Sequence, residues 1–210
     1  MTISAAALER FGQLRERLVK RPRLSLLKHS PRLRESAVLL PLLVPSEASE
    51  APPELLFIVR NAGLPTHSGQ IAFPGGKREP SDASAEQTAL RESHEEVGLA
   101  AERVQICGLL DDVPTIDRFT ITPVVGLVEG PVLVTPSATE VADTFWAPID
   151  VLANTYRHGG FHEWNGVSYA MHEFHFPDPS GTVRLVWGAT ARITYQFLEL
   201  LGLLPPSPDK

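Results

Sequence analysis

The chain has 210 residues and a single cysteine, so an intrachain disulfide is excluded. Cys107 lies in the apolar run Ile106-Cys107-Gly108-Leu109-Leu110, which suits a buried, inert thiol better than a nucleophile. Long hydrophobic runs are also missing. The best, Ala37 to Val44, is short and interrupted by Pro41, so no membrane span is expected. Positive charge is not in excess: the net charge of -6 argues against a general nucleic-acid surface. An acidic chain that handles phosphates must do so through metal ions and a few placed cations. At the N-terminus, Glu9 and Glu16 interrupt the arginines and no apolar signal core follows. The C-terminal Pro-Asp-Lys is not a peroxisomal address, so the expected home is the cytoplasm. Neither a Walker-type glycine loop nor a serine-histidine-acid arrangement can be argued.

What is present is one globular domain with a short extension, at 43% hydrophobic and 21% charged residues. Residues 1–34 read as an N-terminal helix and a basic connector. The helix, residues 4–19, carries Leu8, Phe11, Leu14 and Leu18 on one face. The connector holds Arg21, Arg23, Lys28, Arg32 and Arg34, fitting a solvated linker or a phosphate-facing patch. Residues 35–204 form the main domain and 205–210 a frayed tail. Ala37 to Val44, Leu55 to Arg60, Gln70 to Phe73, Val104 to Val113 and Phe119 to Val128 read as strands. Ser46 to Pro53 is a polar loop, Pro114 to Arg118 a turn and Pro131 to Thr144 a loop. A new element begins at Phe145-Trp146, and Ile149 to Asn154 is a short helix. Phe161 to Phe176 resembles a hairpin turning at Asn165-Gly166, and Val186 to Leu201 a closing helix. His172 and His175 lie three apart, on opposite faces of a strand, and read as surface residues.

The stretch that organises the rest runs from Phe73 to Leu99. Ser84 to Val97 holds good helix formers without an interior glycine or proline, Ser84 with Gln87 fits a capping box, and Gly98 stops the helix. At about 100° per residue, Glu92, Glu95 and Glu96 share one arc while Leu90 and Val97 point into a core. Three carboxylates on one arc repel one another, and a hard divalent cation such as Mg²⁺ would remove that penalty. A solvated face with Arg91 and Glu95 as an i,i+4 pair is the plainer alternative. Ahead of the helix, Phe73-Pro74-Gly75-Gly76 can bring bare backbone close to whatever the carboxylates hold.

Arg91-Glu92-Ser93-His94-Glu95-Glu96-Val97-Gly98-Leu99 resembles the core of the Nudix box of Nudix hydrolases. That box has Gly, five residues, Glu, seven residues, then Arg-Glu-apolar-x-Glu-Glu-x-Gly-apolar. Here Gly76 is followed after five residues by Asp82, eight residues precede Arg91, and Ser93 occupies the apolar position. The extra residue leaves the role of Asp82 open. Upstream, Leu56, Arg60, Gly69 and Phe73 to Gly76 match in register a second signature, that of the coenzyme A pyrophosphatase branch. Phe57, Ile58, Asn61 and Pro65 depart from it, Pro65 standing where the signature has its second arginine. Trp187-Gly188-Ala189-Thr190 is also similar to that branch.

The resemblance implies an α/β fold, a Nudix-type α/β/α sandwich with a mixed sheet. It implies hydrolysis of a diphosphate with Mg²⁺ or Mn²⁺ held by Glu92, Glu95, Glu96 and the Gly75 carbonyl. Arg91 would then hold a glutamate in place. The base is a box glutamate or a loop glutamate, for which Glu140 is the candidate. Arg60 and Lys77 are the cations offered to substrate phosphates, although either also fits a solvated side chain. The favoured substrate is coenzyme A or an acyl derivative. ADP-ribose, NADH or another nucleoside diphosphate derivative is the alternative, and a non-catalytic nucleotide-sensing module a second. No nucleic-acid or membrane partner is expected.

Overall fold

A computed structural model of the protein describes residues 5–26, 33–45, 51–63, 68–115, 118–164, 167–178 and 181–207. Pro65, Lys28, Arg32, the Asn165-Gly166 turn and most of the 46–53 loop lie outside the described residues.

The β-branched and leucine-rich stretches extend as strands, and their alternation builds two cores. In β1 (Arg34–Val44), Ala37 and Leu39 face one side while Leu40 and Leu42 face the other. In β2 (Glu54–Arg60), Leu56 and Ile58 take the first side, Leu55 and Phe57 the second. Each leucine fully buried this way contributes on the order of 2 kcal/mol. β3 (Ile71–Ala72) and β4 (Gly75–Lys77) follow, then helix α2 after the N-terminal helix α1 (Ala5–Lys20). Helix α2 (Ala85–Val97) covers the first side, through Ala89 and Val97. On the other side lie Leu14 and Leu18 of α1 and Ile193, Tyr195 and Phe197 of the closing helix α4 (Gly188–Leu200). The mixed sheet between helices expected from the sequence is therefore present.

The remaining strands are β5 (Val104–Leu109), β6 (Val113–Pro114), β7 (Phe119–Glu129), β8 (Val141–Pro148), β9 (Tyr156–Trp164), β10 (Val167–Pro177) and β11 (Val183–Val186). A short helix α3 (Ile149–Asn154) separates β8 from β9. Among the described residues eight strands form one sheet, in the order β3-β2-β1-β7-β5, with β4 on β1, β6 on β7 and β8 on β2. β1 and β7 run parallel, from Arg34 against Phe119 to Val44 against Glu129. β1 pairs with β4 at Ser36 to Val38 and with β2 at Leu42 and Leu43. Pro41, which cannot donate to a ladder, falls between those two partners, so the strand runs through it. β9, β10 and β11 form a second, antiparallel sheet.

Several boundaries differ from the sequence reading. The glycine-rich Gly75–Lys77 is a strand paired closely with β1, and a Cβ on Gly75 would overlap Val38. The 131–144 loop ends earlier, since β8 begins at Val141 against Arg60. Val183–Val186 is an edge strand on β10 and the closing helix starts after Trp187. The expected strand Val104 to Val113 is split into β5 and β6 by residues 110–112, and β5 shifts register on β7 between Ile106 and Gly108, where a Cβ on Gly108 would come within 2.9 Å of Leu18. His172 is not on the surface: its ring is buried, stacked on Tyr195 at 3.9 Å, with Nδ1 3.2 Å from the Tyr156 hydroxyl.

Two connector arginines are neither solvated nor phosphate-facing. Arg21 donates to Asp111 at 2.9 Å, and Arg23 pairs with the buried Asp112. The backbone N–H groups of Leu24 and Leu26 donate to the same two carboxylates, at 3.0 and 2.9 Å. Removing either aspartate would strand an arginine, so this clasp fastens the N-terminal segment to the β5–β6 corner.

Candidate active site

Helix α2 sets the geometry. Ser84 Oγ accepts from Gln87 N at 3.3 Å, and the Gln87 side chain returns to Ala83 N at 2.7 Å. Gly98 ends the helix in the left-handed conformation, φ 67°. Between these caps, one turn apart, come Glu92 and Glu96.

Glu96 is buried, and its Oε2 accepts from Gly75 N at 2.8 Å. Burial is the main reason its pKa rises to about 7; Glu92 and Glu140 push it further, against the Gly75 N–H and Arg60. Arg60 Nη1 lies 3.7 Å from Glu96 Oε1. Its Nε is buried and has no acceptor among the described residues. Glu92 is half-buried and also raised, first by burial, then by Glu95 and Glu140, with Arg91 opposing. Glu95 is exposed and reaches Arg91 at 3.2 Å.

Arg91 is the hub of the hydrogen bonds around the arc. It donates to Glu92 at 3.1 Å and Glu95 at 3.2 Å, and to the Lys77 carbonyl at 3.0 Å. Its other donors grip Asp82: Nε to Oδ1 at 3.1 Å and Nη2 to Oδ2 at 2.9 Å. Asp82 is buried and also accepts from Glu79 N at 2.9 Å and Thr88 Oγ1 at 3.0 Å. The Arg91 bond first, and these two with it, hold the Asp82 carboxyl well below the usual carboxylate range. The role left open for Asp82 is thus to brace the arginine that holds Glu92 and Glu95.

Backbone closes the site. A Cβ on Gly76 would come within 2.5 Å of the Glu92 carboxyl, so the glycine lets that side chain lie flat on the strand. Lys77, the next residue, turns the opposite way: its Nζ lies 5.6 Å from the centre of the Phe119 ring. Arg60 and Glu140 are brought to the acidic arc, and Lys77 is set behind the strand.

Glu140 is exposed, and its position is set by main-chain bonds. Ser137 N donates to the Glu96 carbonyl at 2.8 Å, Glu140 N to Ser137 O at 3.1 Å, and Asn61 N to Glu140 O at 2.8 Å. The Asn61 amide also donates to Ala138 O at 2.9 Å. Asn61, a departure from the upstream signature, therefore holds the Glu140 loop. The sequence marked it only as that departure.

Among the described residues no three acidic, histidine or cysteine side chains already converge on one point. Arg91 takes one oxygen of Glu92 and one of Glu95, and Gly75 one of Glu96. The donor chemistry nevertheless fits a hard divalent cation. The site offers carboxylate oxygens on one arc, two carboxyls raised by burial and mutual repulsion, and a strand stripped of Cβ beside Glu92. A cation bound there would offset the cost of ionising both buried acids.

The chain is similar to known proteins along most of its length. The NUDIX domain family matches residues 34–165. A protein of Pectobacterium atrosepticum named Uncharacterized Nudix hydrolase NudL is 33% identical over 175 residues, covering 78% of this chain and 80% of that one. The Mus musculus protein named Peroxisomal coenzyme A diphosphatase NUDT7 is 34% identical over 170 residues, 80% of this chain and 71% of that one. In fold, the chain is similar to the crystal structure of a Nudix hydrolase from M. Smegmatis, RenU. The TM-score is 0.54 at 21% identity, over 82% of this chain and 88% of that one.

Proposed function

We propose that this chain, which belongs to the Nudix hydrolase family, cleaves the diphosphate of coenzyme A or an acyl derivative. The products are 4'-phosphopantetheine, or its acyl form, and adenosine 3',5'-bisphosphate. The observation that carries this reading is a meeting of two distant stretches. Thr190 Oγ1 donates to the Ile71 carbonyl at 3.1 Å, 119 positions away in the chain. The two segments similar to the coenzyme A pyrophosphatase branch, Trp187 to Thr190 and the stretch that holds Ile71, thereby meet. The same stretch adjoins the acidic arc, since Gln70 O accepts from Arg60 N at 2.9 Å and Arg60 lies 3.7 Å from Glu96. The relative named as a coenzyme A diphosphatase supports the same substrate.

Mg²⁺ or Mn²⁺, held by Glu92, Glu95, Glu96 and the Gly75 carbonyl, would supply neutralisation of the diphosphate oxygens and a more acidic water. The protein's own groups do the rest. Arg60 offers its partly exposed guanidinium to a phosphate oxygen at the Glu96 end. Asp82 braces Arg91, and Arg91 keeps Glu92 and Glu95 from swinging apart. Glu140, exposed and close enough to perturb Glu92 and Glu96, receives the proton of the attacking water. The water oxygen joins one phosphorus as the bridging P–O bond breaks, and the proton passes from Glu140 to solvent. Among the described residues no helix is long and apolar enough to cross a membrane. We place the reaction in the cytoplasm, where the buried Cys107 stays a thiol.

Product analysis tests the reading: 4'-phosphopantetheine and adenosine 3',5'-bisphosphate should appear from coenzyme A with Mg²⁺ or Mn²⁺. Cleavage of ADP-ribose or NADH alone would move the substrate to the alternative. Tight nucleotide binding without any cleavage would make the chain a sensing module.

A further inference from the structure

We propose that Asn61 is a positioning residue for the hydrolysis: by pinning the turn at 137–140 it holds Glu140 where the attacking water gives up its proton. This rests on the reading of Glu140 as the proton acceptor. The tip of that turn has no packing to fix it. Ala138, Thr139 and Glu140 are all exposed, and burial resumes only at Val141. Hydrogen bonds therefore decide where the carboxylate stands.

Those bonds fall into two sets. Glu140 N and Val141 N both donate to Ser137 O, at 3.1 and 2.8 Å, which closes the turn on itself. Two of its carbonyls, those of Ala138 and Glu140, bond outside the turn, and Asn61 takes both. Its main-chain N–H donates to Glu140 O at 2.8 Å, and its Nδ2 to Ala138 O at 2.9 Å. Its Oδ1 accepts from Gly63 N at 3.2 Å, so the amide is oriented with its donor toward the turn. Reversing that amide would oppose like groups at both ends.

The place of Asn61 in the chain gives these bonds their consequence. Arg60 and Asn61 are consecutive, and their side chains serve different acids. Arg60 Nη1 lies 3.7 Å from Glu96 Oε1, while Asn61 holds the turn that carries Glu140. From the other side, Ser137 N donates to the Glu96 carbonyl at 2.8 Å. The pairing of β2 with β8 also shifts here: Val59 faces Asp143 but Arg60 faces Val141, so Ala142 is extra on β8. Such a bulge bends the strand that carries it, and the ladder stops one residue short of Glu140. Asn61 takes over at that point. The end of β2 thus sets the separation between Glu96, in the acidic arc, and Glu140, which meets the water.

The experiment is a double-mutant cycle on Asn61 and Glu140, read by single-turnover cleavage of coenzyme A at saturating Mg²⁺. Asn61→Ala should lower the rate roughly 10- to 100-fold, with KM and metal affinity within about twofold of wild type. In the Glu140→Gln background the same change should lower it by less than about twofold, because the group it positions is already gone. Asn61→Asp keeps the shape and the acceptor for Gly63 N but offers Ala138 no donor, so it should lose at least as much as Asn61→Ala. Hydrogen exchange gives a readout apart from turnover: the Glu140 and Val141 amides should exchange about tenfold faster in Asn61→Ala, while those of α2 keep their protection. Should ADP-ribose or NADH be the diphosphate cleaved, the cycle is run on that substrate, since the inference concerns the water and not the leaving group. Additive losses in the cycle, or a wild-type rate in Asn61→Asp, overturn the inference while the hydrolase reading stands. A Glu140→Gln rate equal to wild type, or no diphosphate cleaved at all, removes the reading beneath it and the inference together.

Discussion

Arg91 grips Asp82 through two parallel hydrogen bonds, at 3.1 and 2.9 Å, across the position where the chain carries one residue more than the Nudix box. That residue falls among the eight between Asp82 and Arg91, where the chain enters helix α2 at the Ser84 cap. Asp82 N donates to Glu79 O at 3.0 Å, and Arg78 Nε donates to Asp82 O at 3.1 Å. The brace forms because these bonds hold Asp82 where it reaches the arginine in spite of the extra residue.

Breaking that pair leaves a mostly buried charge without its partner. Asp82→Ala should cost about 3 kcal/mol of unfolding free energy, the lower end for a buried pair because Arg91 retains some exposure. The carboxyl is depressed in the folded state, so its stabilisation is full above the unfolded pKa of about 4 and fades as pH falls further. Urea melts at pH 7 and pH 3 should show a smaller pH dependence in Asp82→Asn than in wild type. An unchanged dependence would detach Asp82 from the ion pair.

Gly76→Ala places a methyl 2.5 Å from the Glu92 carboxyl. The side chain can give way, so the fold should persist while Glu92 leaves its place. Turnover should fall about a hundredfold, the scale of misplacing a reacting group. Circular dichroism and steady-state kinetics together check this. Normal turnover in a folded variant would show that Glu92 need not lie against the strand.

Glu96→Gln removes a carboxylate from the acidic arc but keeps an acceptor for Gly75 N. Turnover should drop roughly 10³-fold, and a chelator should abolish what the wild type does until Mg²⁺ or Mn²⁺ is restored. In chelator above pH 7, the variant should melt higher than wild type, because an ionised acid has left a buried site. Near-normal turnover at saturating metal would refute the acidic-arc account.

Glu140→Gln should act on the chemical step alone. Single-turnover rates should fall by roughly 10²- to 10⁴-fold, while metal affinity, read by titration, stays within about twofold. Equal rates in the two proteins would remove Glu140 from the chemistry.

Much of this was legible in the residues. The box helix announced its own ends through Ser84, Gln87 and Gly98, and its periodicity put the three glutamates on one arc. Strands rich in leucine and valine were also plain, because burial on both faces leaves an apolar run. Short pieces escaped: Gly75–Lys77 reads as loop, since glycine carries no strand signal, and its strand exists only because β1 approaches closely. Val186, the last residue of β11, merged with the helix after it because both are apolar there. The clasp of Arg21 and Arg23 on Asp111 and Asp112 depends on contacts nearly 90 positions apart. No local pattern could pair them, and the same holds for Asn61 with the Glu140 loop and His172 with Tyr195.

The central claim is the substrate, and kcat/KM for coenzyme A, dephospho-coenzyme A, ADP-ribose and NADH under one set of conditions tests it most directly. The account predicts coenzyme A ahead of all three, and ahead of dephospho-coenzyme A by about one to two decades. ADP-ribose or NADH ahead of coenzyme A would contradict it.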